Sequence, residues 1–144
     1  MDNCIFCKIA NGEIPTNKVY EDEVVIAFLD MSQVTKGHTL LVPKKHIQDI
    51  FGYSSNDAGA VFKRIPLVAN ALKEAFPDMQ GLNILNNNGE MAYQSVFHSH
   101  VHLIPRYNGE SDGFGLKWEP AQEGTYSDED LKNITNTINQ QNKG

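Results

Sequence analysis

The chain has no long apolar run, no excess of basic residues and almost no cysteine. Its longest apolar stretches, such as Val24–Leu29, fall far short of the ~20 residues needed to cross a bilayer. Twelve Lys+Arg stand against eighteen Asp+Glu, a formal charge of −6 with a pI near 5.2. A nucleic-acid coat or an anionic-membrane binder needs a basic face, so both are excluded as expectations. Two cysteines cannot build a disulfide framework. The opening Met1-Asp2-Asn3-Cys4 lacks the basic and apolar regions of a secretion signal, so a cytoplasmic protein is expected. What is present is ordinary in bulk and skewed in detail. An apolar share of 40% over 144 residues supports a real core, and no repeat or low-complexity run divides residues 1–144, which read as one domain. Of five histidines, three fall within five positions, and the two cysteines sit three apart.

The pattern predicts an α+β fold with mainly antiparallel strands. Cys4–Ala10 reads as a short helix stopped at Asn11-Gly12, and Lys18–Tyr20 with Val24–Leu29 reads as a hairpin. Thr39–Val42, Gly81–Leu85 and Val96–Ile104 read as further strands. Asn56–Phe76 carries apolar residues at helical spacing, with Ser54 and Asp57 placed to cap its start. Pro66 should kink or split that helix, because it has no N–H and clashes with the preceding turn. Residues 106–126 should be irregular. Ser127-Asp128-Glu129-Asp130 then opens a last helix carrying Leu131, Ile134 and Ile138. Lys44-Lys45 reads as a solvated pair.

Phe97-His98-Ser99-His100-Val101-His102 carries the strongest signal. Side chains alternate along a strand, so His98, His100 and His102 would share one face, ~7 Å apart, while Phe97, Val101 and Leu103 pack against the core. A solvated polar face is the bland alternative, and Lys, Glu or Thr would serve it as well. A three-histidine metal site is another, although same-strand side chains diverge from a common point. Cys4-x-x-Cys7 leaves two readings, half of a zinc site or two buried thiols. A redox pair would need a preceding strand, for which three residues leave no room.

These residues carry a resemblance. The segment is similar to the signature of the histidine-triad (HIT) family, His-apolar-His-apolar-His followed by two apolar residues, with Ser99 a departure at the first intervening position. Cys4–Ile9, Gly12–Pro15, Val19–Glu23, Ala27–Asp30, Gly37–Leu40 and Pro43–His46 also resemble that family, as do Asn87, Gln94 and Val96. The resemblance implies a HIT-like fold of about five antiparallel strands and two main helices, a homodimer, and a small nucleotide as substrate. It implies attack by His100 on an α-phosphate, giving a nucleotidyl-histidine that water hydrolyses. His98 belongs to the same catalytic triad. His102 and Ser95 would meet the phosphate or leaving group, Gln94 and Asn87 would donate to phosphate oxygens, and His38 would orient a ring. Asp30 would take the ribose hydroxyls, with Phe6, Ile9, Ile14, Phe28 and Met31 around the base. From the residues alone, Asp30 is a turn residue and the apolar five are core. In zinc-bearing relatives the Cys pair is completed by positions that map onto His46 and His98, implying a structural Zn2+ on Cys4, Cys7, His46 and His98. The family usually has Gly where this chain has Tyr93, and glycine there implies either a backbone close to the ligand or a positive φ, so Tyr93 would reshape the leaving-group side.

The activity implied is hydrolysis of a purine nucleoside phosphoramidate or related conjugate. Dinucleoside polyphosphate hydrolysis, with Arg106 meeting the extra phosphates, is the alternative, and nucleotidyl transfer a third. A zinc-stabilised nucleotide-binding scaffold stands in another class. The helix Asn56–Phe76 is the candidate dimer surface.

Overall fold

In the computed structural model, which describes residues 3–142, the first turn of structure is fixed by a thiol. The Cys4 side chain accepts from the Cys7 N–H and caps helix α1 (Ile5–Ala10), which ends where Asn11 closes onto Cys7 and Ile9. Strands β1 (Lys18–Glu21) and β2 (Val25–Leu29) form the expected hairpin. Its acidic turn is tied by Asp22, which accepts from the N–H groups of Val24 and Val25 and pairs with Arg64. Strand β3 (Thr39–Pro43) runs antiparallel beside β2.

The predicted long helix is two helices, α2 (Ser55–Phe62) and α3 (Ile65–Ala75). Ser54 caps α2 through the Asp57 N–H at 3.0 Å. Pro66 stands in the first turn of α3, where its missing N–H has no intrahelical partner to lose. Strand β4 (Gly81–Leu85) follows, then β5 (Val101–Arg106), and the five strands lie in the order β1-β2-β3-β5-β4, all neighbours antiparallel. The class and strand number agree with the expected fold.

Alternation along β2, β3 and β5 builds two apolar layers. Val25, Ala27, Leu41, Val101 and Leu103 face α2 and α3 and meet Val61, Val68 and Leu72. Ile26, Phe28, Leu40 and Val42 face the other way and meet Phe6 and Ile9 of α1. The second layer holds the functional side chains. Covering both faces explains why every residue of β3 is buried.

Two expectations are corrected. The last strand begins at Val101, not Val96, so His98 and His100 lie before it in irregular backbone. The cause is that segment 94–99 bonds to loops instead of a strand: the Ser99 N–H goes to the Ile47 carbonyl at 2.6 Å, and the Val96 carbonyl takes the Gln94 amide. Off the strand, Phe97 does not pack inward and stays 48% exposed. Helix α3 buries Val68 and Leu72 within its own chain and keeps Leu67 exposed on its outer side, so the expectation of a dimer surface there stands untouched. Lys44 and Lys45 lie at the surface as expected, each meeting a carboxylate there, Glu21 and Asp57.

Residues 106–126 are irregular beyond β5, apart from a turn at Gly109–Asp112. Helix α4 (Asp128–Gln141) has the full capping box between Ser127 and Asp130. Leu131, Ile134 and Ile138 nonetheless remain between 42% and 60% exposed. An isolated helix of this length is marginal in water even when well capped. No helix among the described residues is long and apolar enough to cross a membrane.

Candidate active site

Helix α1 lies against the second layer of the sheet, and a cavity of about 380 Å³ opens beside it. Phe6, Ile9, Ile14 and Phe28 form its apolar wall, Met31 stands at its rim, 84% exposed, and Asp30, Ser95, His100 and His102 supply its polar side. Phe6 stacks edge-on against Phe28, His98 and His100, so one ring fixes both the apolar wall and two imidazoles.

The protonation pattern of the histidines follows from backbone groups whose direction is not negotiable. A carbonyl only accepts. His100 Nδ1 lies 2.8 Å from the His98 carbonyl, so that nitrogen carries the proton and Nε2 keeps its lone pair. His98 Nε2 lies 2.7 Å from the Pro43 carbonyl, which leaves its Nδ1 lone pair toward the cysteines. A backbone N–H only donates. The Val34 N–H points at His38 Nδ1 at 3.3 Å, so His38 carries its proton on Nε2. That proton is donated to His102 Nδ1 at 2.9 Å, and neutral His102 then carries its own on Nε2.

All four rings are held neutral. Burial lowers the pKa of His38, His98 and His100 below the ordinary imidazole value. It lowers His102 further, to about 4, helped by its neighbours His100 and His38. At neutral pH the cleft thus offers one imidazole with a free lone pair and one with a fixed donor, their ring centres 5.1 Å apart.

On the far side of His98 lies a four-residue cluster. Cys4 Sγ and Cys7 Sγ lie 3.3 and 3.5 Å from His98 Nδ1, and Cys7 Sγ lies 3.3 Å from His46 Nδ1. All four ligand atoms fall within 4.8 Å of one another. Ligand bonds of ~2.3 Å to sulfur and ~2.0 Å to nitrogen put sulfur–nitrogen edges of a tetrahedron near 3.5 Å. The cluster therefore fits a tetrahedral metal ion, and the Pro43 carbonyl already fixes His98 in the ligating tautomer. Burial and the adjacent Cys4 push the Cys7 thiol up to about 11. The Cys7 thiol is therefore protonated at neutral pH, and a divalent cation bound here would hold it as the thiolate.

Other expected site residues are placed differently. The Gln94 amide donates to the Gln48 and Val96 carbonyls, and its oxygen accepts from the Gly89 N–H. It is 3% exposed and braces the loop under the site rather than facing a phosphate. Asn87 donates weakly to the Tyr93 carbonyl at 3.4 Å, outside the cavity wall. Arg106 is corrected outright. Its guanidinium is engaged by Asp112, Asn83 and the carbonyls of Gly109 and Phe114. With its donors directed at the chain, it ties down segment 107–114 and is not free for a polyphosphate. Tyr93 adopts φ 70, the one positive φ outside glycine among the described residues, and is 86% exposed. The position keeps the conformation expected of glycine although the side chain has changed.

Several contributors carry no sequence signal. The Pro43, His98 and Ile47 carbonyls and the Val34 N–H are backbone groups. Gln33 could have been noticed only by its spacing: its amide donates to the Asp30 and His38 carbonyls and its oxygen accepts from the Gly37 N–H. It closes the loop holding both Asp30 and His38. Gly37 has φ +93, and a Cβ there would come 2.7 Å from the Phe76 ring, so the turn into His38 requires glycine.

The HIT domain model matches residues 11–109. The chain is 54% identical over 137 residues to "Protein hit" of Bacillus subtilis, covering 95% of this chain and 92% of that one. It is 40% identical over 116 residues to the adenosine 5′-monophosphoramidase of Schizosaccharomyces pombe, covering 81% and 83%. A crystal structure of a HIT family protein from Bacillus anthracis superposes with a TM-score of 0.92 at 57% identity, over 99% of each chain. The chain belongs to the HIT domain family.

Proposed function

We propose that the protein hydrolyses a nucleotide conjugate at its α-phosphate, with purine nucleoside phosphoramidates as the preferred class. The observation that carries this reading is the pair of opposed tautomers, a lone pair on His100 Nε2 and a proton on His102 Nε2, beside one cavity. His100 Nε2 attacks phosphorus and the phosphorus–nitrogen bond to the leaving amine breaks, the amine taking a proton that reaches it from solvent through His102 Nε2, so that His102 is neutral before and after the step. A water then attacks phosphorus and loses its proton to solvent by the same route. The phosphorus–His100 bond breaks, releasing the nucleoside monophosphate and restoring both rings. The apolar wall of Phe6, Ile9, Ile14 and Phe28 accepts a purine with loose discrimination, and Asp30 takes the ribose hydroxyls.

The engagement of Arg106 favours phosphoramidates over dinucleoside polyphosphates, since no free cation in the described cavity wall is placed for extra phosphates. The relative named a monophosphoramidase points the same way. The specificity constant for adenosine 5′-phosphoramidate should exceed that for a diadenosine polyphosphate at least about tenfold, or ~1.4 kcal/mol of transition-state binding. A reversed order would replace this reading with the polyphosphate one, and no turnover of either would leave the scaffold reading.

We assign Zn2+ to Cys4, Cys7, His46 and His98 on the fit of the donor set. With four protein ligands it is structural, and when bound it supplies positive charge and a fixed His98 next to the nucleophile. We propose further that the working form is a cytoplasmic homodimer. The support is the exposed apolar face of α4, together with the close superposition of the whole chain, this helix included, on a crystallised relative. Light scattering should give twice the chain mass, and Leu131→Glu should halve it. A wild-type monomer would refute the dimer.

A further inference from the structure

The segment following metal-site residue His46 makes four contacts with the loop that carries Gln94 and the histidines. The Ile47 carbonyl accepts from the Ser99 N–H at 2.6 Å, and the Gln48 carbonyl accepts from Gln94. The Ile50 N–H donates to Asn88, and the Tyr53 hydroxyl donates to Ser99 Oγ at 3.0 Å. Two of the four converge on one residue, Ser99, which is fully buried between His98 and His100. It is also the position where the chain departs from the family pattern of an apolar residue.

The peptide joining His98 to Ser99 is held at both ends. Its N–H is anchored on Ile47, and its C=O is the group that receives the His100 Nδ1 proton. A peptide unit is planar, so turning one end turns the other. The Ser99 side chain is the remaining handle on that plane, and Tyr53 grips it. The Tyr53 ring is itself fixed, stacked at 5.2 Å on Phe62 and packed against the core below the sheet.

We propose that Tyr53 is a positioning residue for the nucleophile: through Ser99 it sets the peptide whose carbonyl fixes the tautomer and aim of His100. This rests on the hydrolytic reading above. Tyr53 lies outside the nucleotide cavity, so it acts on the chemical step and not on binding. The polar Ser99 is then compensated by a hydroxyl brought from the core, in place of the packing an apolar residue would supply.

The test is Tyr53→Phe, Ser99→Ala and the double variant, assayed on adenosine 5′-phosphoramidate. Tyr53→Phe keeps the ring and its stacking. The expected result is a fall in kcat of about tenfold, the scale of one lost aligning hydrogen bond, with KM within about twofold. Metal content and melting temperature should stay close to wild type. Ser99→Ala should lose kcat similarly, and the double variant no more than the worse single one, because both remove the same contact. A Tyr53→Phe kcat within about twofold of wild type would overturn the proposal, as would losses that simply multiply in the double variant. Failure of the wild-type enzyme to turn over the substrate would instead strike the hydrolytic reading.

Discussion

His100→Ala is expected to bind a nucleoside monophosphate nearly as tightly as wild type and to lose turnover by about three orders of magnitude or more. The two halves of that result come from different parts of the site. In the proposed mechanism binding rests on Phe6, Ile9, Ile14, Phe28 and Asp30, none of which depends on the His100 ring for its backbone placement. Turnover rests on a single lone pair, because the other neutral imidazole in the cleft, His102, has its Nδ1 engaged by His38 and its Nε2 protonated. Removing the nucleophile leaves only water, with no ring positioned to replace it. Equilibrium binding of AMP and steady-state kcat are the measurements. Turnover within tenfold of wild type would end the covalent mechanism, and trapping a nucleotidyl adduct on wild type but not on the variant would support it.

Loss of the metal should be the largest effect on stability. Cys7→Ser removes one of the four proposed ligands, the one in contact with both His46 and His98. Structural zinc contributes ~10–16 kcal/mol to folding in small zinc-finger peptides, which have little else. Here two apolar layers persist without it, so a smaller share, several kcal/mol, is at stake, a drop in melting temperature of roughly 10 °C or more for a chain of this size. Activity should fall in parallel, because His98, the proposed ligand through its ring, orients His100 through its carbonyl. Elemental analysis and calorimetry check this. Wild-type protein holding less than roughly one-tenth of an equivalent of zinc would refute the assignment.

The chemistry is more legible in the sequence than the backbone beneath it. Histidine and cysteine spacing, with the family resemblance, pointed to both clusters the structure assembles. Alternation correctly set Val101 and Leu103 apart from His102. It failed one turn earlier, at Phe97 and His98, because the loop bearing Ile47 and Gln48 competes with the sheet for the backbone there. Nothing in the residue types announces that competition. Arg106 misled for a related reason. A guanidinium beside a presumed phosphate site looks like a ligand until Asp112, Asn83 and two carbonyls are seen to surround it. Pro66 was legible because its effect is local: no neighbour is needed to know that it interrupts a helix.

The directions given to His38, His98 and His100 come from main-chain groups of Val34, Pro43 and His98 itself. Every residue has a carbonyl and all but proline an N–H, whatever the side chain. The proton map of the site is therefore stored in the course of the polypeptide and not in the identity of the residues along it. Any substitution at Pro43, and any at Val34 except proline, leaves those groups in place, so the wiring can pass unaltered through extensive sequence drift. Such a site is lost by bending its backbone more readily than by exchanging its neighbours.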